Sequence, residues 1–191
     1  MNQFGRKLSG QKVYTCWDNA RHRVEDSEIK FQRGMMVCIG LDLGRTPAAT
    51  IGQMGPDGIL RIKREVTTWD DKLNNSKGDL KRVDVGTFWE EYLRPVLINE
   101  FGYPYTPHIC FADPAGKNLT EVVSISSIDR LKGMGLNIIA CDKVPAFSST
   151  VQDITEGNKV EIRLACVEEA LKRGMMVVSD KCTMLCDGFN G

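Results

Sequence analysis

Two short apolar runs in this chain each end in an aspartate, and this pairing constrains the fold more than any other feature. Residues 35–41 have the composition of a buried strand, and Asp42 follows where packing would favour another aliphatic side chain. Residues 108–112 repeat the pattern, with Asp113 at the end of the run and a Pro-Ala-Gly turn after it. A carboxylate buried in a core strand is costly unless a partner compensates for it. The two aspartates therefore predict one acidic site on one sheet.

The order of the apolar patterns predicts an α/β fold. Residues 36–67 read as three antiparallel strands, the last two joined by a Gly-Pro-Asp-Gly hairpin turn. Helical spacing of apolar residues predicts a helix over 85–101, kinked or divided at Pro95. Strands and helices then alternate: the strand before Asp113, a helix at 121–134, a strand at 136–141, a helix at 159–173 and a strand at 175–179. This order predicts a mixed sheet, antiparallel in its first three strands and parallel thereafter, flanked by helices.

The composition bounds the organisation of the chain. We expect residues 1–34 to form a linker and lead-in strand, and residues 35–191 to form one domain. Lys plus Arg equals Asp plus Glu at 25 each, which argues against bulk electrostatic capture of nucleic acid but leaves room for a local basic face. No stretch approaches the roughly 20 apolar residues of a membrane span. Seven cysteines, an odd number, favour reduced core thiols in a cytosolic protein.

The two aspartates suit a hard divalent cation. Mg²⁺ takes carboxylate and water oxygens, and two such ions can hold both the attacking water and the leaving oxygen of a phosphodiester. Without metal, two close carboxylates repel each other and one stays protonated. Structural roles are the alternative: Asp42 could cap a turn or pair with a buried arginine, and Asp113 could belong to an ordinary β-turn.

Longer motifs around these aspartates resemble the nuclease domain of the large terminase subunit of tailed bacteriophages. Residues 38–53 are similar to its first acidic strand, whose pattern is Gly-hydrophobic-Asp-x-Gly-x-Thr-Pro-Ala followed by a short strand ending in Gly-Gln. Residues 111–116 resemble its second acidic motif, residues 158–171 its Asn…Arg helix, and residues 182–191 its late Cys…Gly-Phe segment. With a Trp-Asp…His segment near residue 17, the resemblance runs from about residue 13 to the end.

The resemblance implies an RNase H-like fold and metal-dependent endonucleolytic cleavage of double-stranded DNA during genome packaging. Asp42 and Asp113 would then be the catalytic ligands of Mg²⁺ or Mn²⁺, with Arg45 and Lys117 as candidate DNA contacts. The implied partners are DNA, the terminase ATPase domain, the small terminase subunit and the portal, in the cytoplasm of the infected bacterial host. The ATPase half has no counterpart here, since 115–118 lacks the glycine and hydroxyl residue of a phosphate loop.

The third metal-ligating aspartate of the resembled family follows the Gly-Phe-x-Gly segment with which this sequence closes. We therefore expect the domain to lack that C-terminal helix, and the isolated chain to be a weak or inactive nuclease. Asp180 is the candidate substitute ligand; otherwise Asp180 and Asp187 are interpreted as strand-end and turn residues.

Other functions stay open at this point. The missing third acid favours a catalytically silent module that docks DNA or the portal. Residues 39–44 also resemble the first phosphate loop of sugar-kinase and actin-like ATPases, and a junction resolvase shares the acidic first strand. We further expect His22 and His108 at the surface or at strand edges, and Lys63 with Arg64 as part of a possible basic rim.

Overall fold

The computed structural model describes residues 12–68, 81–113, 125–141 and 160–191, with side chains from residue 163 onward in the last range. The described strands are β1 (Arg23–Val24), β2 (Val37–Asp42), β3 (Ala48–Met54), β4 (Leu60–Val66), β5 (His108–Ala112), β6 (Ile138–Ala140) and β7 (Met176–Ser179). The described helices are α1 (Asn19–His22), α2 (Val85–Thr87), α3 (Arg94–Phe101), α4 (Ser127–Gly133), α5 (Val160–Lys172) and α6 (Thr183–Asn190). A 3-10 turn covers Asp26–Glu28, and a π-helical segment, Phe88–Leu93, joins α2 to α3.

The strands of the described residues form one mixed sheet, as the sequence predicted. Their order is β1-β7-β4-β3-β2-β5-β6. The pairs β1–β7, β4–β7, β2–β5 and β5–β6 are parallel, so the antiparallel part of the sheet lies around β3. The connection from β3 to β4 is the predicted tight turn, in which the Gly55 amide donates to Ile59 O at 2.9 Å. The predicted α/β fold is confirmed.

The described residues fall into two compact units. The first unit contains residues 12–30, 52–65 and 160–191, and the second contains residues 31–51, 66–68, 81–113 and 125–141. The two predicted metal ligands, Asp42 and Asp113, belong to the second unit.

The second unit has its core on one face of β2 and β5. Alternate residues of β2, namely Val37, Ile39 and Leu41, are at most 5% exposed, as period-two alternation on a half-covered sheet requires. The helical segment supplies the other side of this core with Phe88, Trp89, Leu93, Leu97 and Phe101. The opposite face of these strands carries the more exposed side chains, including Asp42.

The predicted helix over 85–101 is divided just before Pro95. The amide of Arg94 bonds to Trp89 O, a five-residue step typical of a π-helix, instead of the four-residue step of an α-helix. Proline has no N–H and its ring crowds the carbonyl of the preceding turn, so a widened turn relieves both problems. The helix stops at Gly102, whose φ of 70° is left-handed.

The first unit ends in helix α6, which the sequence analysis missed. Asp187, interpreted there as a turn residue, lies inside this helix, whereas Asp180 does sit at the end of β7 as expected. Cys, Asp, Gly, Phe and Asn are weak helix formers, so local propensity gave no signal. The helix is held instead by tertiary contacts: the Glu65 carboxylate accepts the amides of Met184 at 2.9 Å and Leu185 at 2.8 Å.

The expectation that His22 lies at the surface is wrong. Its side chain is fully buried, and its Nδ1 accepts the Asp18 amide at 2.9 Å. Because Nδ1 is an acceptor, the ring proton is on Nε2, which donates to Leu171 O at 3.0 Å. His22 therefore holds the segment around α1 against the last turn of α5. His108, by contrast, begins β5 and is half-buried.

Candidate metal centre

Asp42 and Asp113 leave neighbouring parallel strands at the same edge of the sheet. The register of β2 and β5 pairs Val37 with His108 and runs to Leu41 with Ala112. Asp42 and Asp113 are the residues that follow this last pair. Neighbouring strands are about 4.8 Å apart, and the carboxyl ends of parallel strands meet at one edge. The predicted adjacency of the two strands is confirmed, and the separation of the two carboxyl groups stays a prediction.

The two aspartates also continue the same face of the sheet. In β2 the buried side is that of Leu41, which puts Asp42 on the opposite face together with Gly40. In β5 Ala112 is buried and Phe111 is exposed, so the alternation assigns Asp113 to the face of Phe111. Residues in register on parallel strands share a face, which makes one site for both carboxylates possible.

Asp42 is exposed, so the burial cost expected from its place in the apolar run is not incurred. Its Oδ1 accepts the backbone amide of Gly44 at 3.1 Å, and this is the turn-capping role weighed above. The bond occupies one oxygen only: within the described residues Oδ2 has no hydrogen-bond partner and no arginine pairs with the carboxylate. Capping the turn and ligating a cation are therefore compatible roles for this side chain.

Arg45 follows in the loop between β2 and β3. Its side chain is exposed, and within the described part of the chain it makes neither an ion pair nor a hydrogen bond. The predicted DNA contact at Arg45 thus has an available guanidinium beside the acidic edge. Lys117, the other predicted DNA contact, lies outside the described residues.

Asp180 belongs to the first unit, and the structure gives it a local partner. Its Oδ1 accepts the amide of Asp26 at 3.0 Å, and its own amide donates to Val24 O at 2.8 Å. These bonds hold the end of β7 to the 3-10 turn that follows β1. The role of Asp180 as a third metal ligand stays a prediction.

Lys63 and Arg64 are not a free basic rim. Lys63 Nζ donates to Ile29 O at 2.6 Å and lies 3.3 Å from an Asp26 carboxylate oxygen. Arg64 forms two hydrogen bonds with the same carboxylate, and Ser179 donates a third at 2.9 Å. The hydrogen bond from Arg64, chiefly, lowers the pKa of Asp26 well below its usual value. The sequence offered no signal for this cluster, because Asp26 is distant from both cations along the chain.

The remaining acidic and thiol groups add no further ligand set. Among residues 12–68, 81–113, 125–141 and 160–191, no three or more His, Cys, Asp or Glu side chains cluster so as to hold a metal ion. All seven cysteines are free thiols, as predicted, and burial raises the pKa of Cys110 and Cys182 to about 12. None of the described helices has both the length and the apolar character that crossing a membrane requires.

Solved large terminases share this fold. The large terminase of a thermophilic bacteriophage superimposes with a TM-score of 0.61 at 16% identity, over 90% of this chain and 34% of that chain. The same protein in complex with ADP gives the same values. The P22 large terminase nuclease domain matches with a TM-score of 0.60 at 10% identity, over 96% of this chain and 80% of that chain.

This chain therefore spans about a third of the thermophilic phage's large terminase, and it matches the P22 nuclease domain over most of both chains. No protein-family model matches the sequence, and no curated protein matches it. At identities of 16% and below, the likeness concerns the fold, which is that of the large terminase nuclease domain.

Proposed function

We propose that this chain is the nuclease domain of a phage large terminase and cuts double-stranded DNA in a metal-dependent reaction during genome packaging. One observation carries the proposal: Asp42 and Asp113 directly follow the register pair Leu41 and Ala112 on adjacent parallel strands. The likeness of the fold to the P22 nuclease domain supports it.

The donor set fits Mg²⁺ or Mn²⁺. Both predicted ligands are carboxylates, which hard cations prefer, whereas zinc sites are usually completed by histidine or cysteine. The exposed Asp42 keeps an oxygen without a hydrogen-bond partner in the described residues, so binding a cation would cost it no existing bond. A pair of bound ions would supply the activation of water and the stabilisation of the leaving oxygen.

The side chains themselves bind and orient. Gly44 fixes one oxygen of Asp42, which leaves the other in a defined direction. Asp42 and Asp113 would repel a DNA phosphate, so the exposed guanidinium of Arg45 is the group in this loop that attracts the backbone. Because the formal charge of the whole chain is zero, such local attraction matters more than the overall field.

The partners and location follow from the same proposal. The nuclease would act with the terminase ATPase domain, the small terminase subunit and the portal, in the cytoplasm of an infected bacterium. Its substrate would be the double-stranded genome being packaged.

A second candidate function is a catalytically silent module that docks DNA or the portal. It is favoured by the lack of any cluster of three or more potential ligands in the described part of the chain. Two carboxylates alone would hold a second ion loosely, and small misplacements can lower a rate about 10²-fold.

Cleavage of supercoiled plasmid separates the two candidates. The chain should nick the plasmid with Mn²⁺ or Mg²⁺ but not with chelator, and Asp42→Asn and Asp113→Asn should each abolish nicking. Glu91→Gln is the matched control, since Glu91 is an exposed acid of the same unit on the helical segment. Plasmid binding without nicking would favour the silent module, and nicking that survives both aspartate substitutions would overturn the proposed site.

A further inference from the structure

A shallow trough runs along the open face of the second unit toward the two aspartates. Its floor is Gly40, where a Cβ atom would come within 2.8 Å of Thr50 Oγ1. Thr50 on β3 forms one wall, and Phe111, the register partner of Gly40 on β5, forms the other. The glycine thus leaves a gap between two side chains on a sheet where any other residue would fill it.

The walls of this trough are open to solvent. Phe111 is 39% exposed, and its register partner on β6, Ile139, is 47% exposed. Exposed aromatic and aliphatic side chains that adjoin each other mark interaction surfaces more often than isolated ones do. This apolar wall is on the side of the trough away from Thr50.

The trough leads directly into the candidate metal centre. Gly40 and Phe111 each precede an aspartate by two residues, which in a strand is one full pleat, about 6.6 Å, on the same face. Whatever is held at Asp42 and Asp113 therefore has its next segment over Gly40, against the ring of Phe111.

The width of the trough selects its occupant. Thr50 and Phe111 stand on strands two positions apart, about 9.6 Å. This distance admits one sugar-phosphate strand, whereas the major groove of a duplex alone spans about 12 Å. Arg45 adds a cationic side chain at the same edge, complementary to a phosphate.

We infer that this trough seats the nucleotide next to the scissile phosphate, one DNA strand at a time, and that Phe111 is a positioning residue that packs on its base or sugar. The inference rests on the proposed nuclease function and adds to it how the substrate strand lies. Aromatic packing of this kind is sequence-tolerant, because every base presents a flat face. The trough therefore holds a strand without reading its sequence.

The test compares Phe111→Ala with Phe111→Tyr, which keeps the ring. Binding of a short fluorescein-labelled DNA strand in Mg²⁺ is measured by fluorescence anisotropy, and plasmid nicking gives KM and kcat. Ile98→Ala is the matched control, because Ile98 is an apolar side chain on α3 with a similar exposure of 45%.

We expect Phe111→Ala to raise the Kd or KM about 5- to 100-fold with a smaller change in kcat. Phe111→Tyr and Ile98→Ala should behave as wild type, and plasmid should pass through nicked circles before it becomes linear. Wild-type affinity and KM in Phe111→Ala, with only a lower Tm, would overturn the inference alone and indicate that a protein segment covers this face. A wild-type chain that neither binds nor cuts DNA would overturn the proposed function as well.

Discussion

The backbone amide of Gly44 donates to Oδ1 of Asp42 at 3.1 Å, and a Cβ atom at position 44 would lie 3.3 Å from that same oxygen. The carboxylate is thus oriented by a bond that only a residue without a side chain makes at no steric cost. Gly44 has no positive φ, so its role is clearance for Asp42 and not backbone conformation.

Gly44→Ala is expected to weaken metal binding while it leaves the fold intact. Alanine can adopt the backbone conformation, but its methyl group would displace the Asp42 oxygen by a few tenths of an ångström. Groups that orient a metal ligand typically contribute 10- to 100-fold to affinity, so we expect a loss of about 10-fold. Titration calorimetry with Mn²⁺ measures this change.

Gly133→Ala is the control for this substitution. Nothing lies within 4 Å of a Cβ atom at Gly133, so the added methyl should change neither the Mn²⁺ affinity nor the unfolding temperature. Unchanged Mn²⁺ affinity in Gly44→Ala would argue that Asp42 binds no cation through the orientation seen here.

Millimolar Mn²⁺ is expected to raise the Tm of the chain. A ligand that binds only the native state stabilises it by mass action, and about 2.7 kcal/mol is gained at 100 times the Kd. Asp42→Asn removes a charged ligand oxygen and should remove the shift. Differential scanning fluorimetry with and without Mn²⁺ measures it.

Glu91→Gln should retain the full metal shift, because Glu91 is an exposed acid on the helical segment and outside the predicted ligand set. An equal shift in Asp42→Asn would locate the cation at another site, and a Tm insensitive to Mn²⁺ in wild type would contradict metal binding altogether.

The part of the site that the sequence predicts is the part that local patterns determine. Alternation along β2 and β5 and the order of strands were enough to place Asp42 and Asp113 on adjacent strands, and this is confirmed. The break before Pro95 followed from the chemistry of proline in the same way. The exposure of Asp42 did not follow, because it depends on where β2 ends.

Contacts between distant segments account for what the sequence did not predict. Helix α6 depends on Glu65 of β4 for its N-terminal amides, over a separation of 119 residues for Met184. Lys63 and Arg64 have the sequence pattern of solvated charges, yet Asp26, 38 residues before Arg64, pairs with both. No local pattern encodes such partners, so a basic pair of this kind is ambiguous in one sequence.

Asp26→Asn is expected to destabilise the chain most at neutral pH. Hydrogen bonds to charged groups contribute about 1.5–3 kcal/mol, and Asp26 is only 23% exposed. Its pKa is lower in the folded state, so its stabilisation is complete above the pKa of an unfolded aspartate, about 3.9. It is lost as the pH falls toward the lower folded value.

Urea unfolding at a series of pH values measures this difference, which should narrow from neutral pH toward strong acid. Asp57→Asn is the control: Asp57 pairs with Arg61 at 2.6 Å but at the surface, so a smaller loss is expected. A difference between wild type and Asp26→Asn that stays constant across the acid range would mean that the charge of Asp26 is not what stabilises the cluster.

Trp17→Ala is expected to cost about 3–5 kcal/mol of unfolding free energy, the range for a buried aromatic side chain. Trp17 is 4% exposed and stacks on Phe189 of α6, with ring centroids 4.6 Å apart and planes 18° apart. Its other neighbour is the buried His22, at 5.4 Å. Removing the indole leaves a cavity between the segment around α1 and α6, within the first unit.

Hydrogen exchange locates the effect of this substitution. In Trp17→Ala the amides of α6 should exchange faster than those of β2 and β5, because the lost contact is with Phe189. Tyr105→Ala is the control, since Tyr105 is 95% exposed and its removal should change the unfolding free energy by no more than about 0.5 kcal/mol. Uniform acceleration across all elements would mean instead that α6 opens only when the whole chain unfolds.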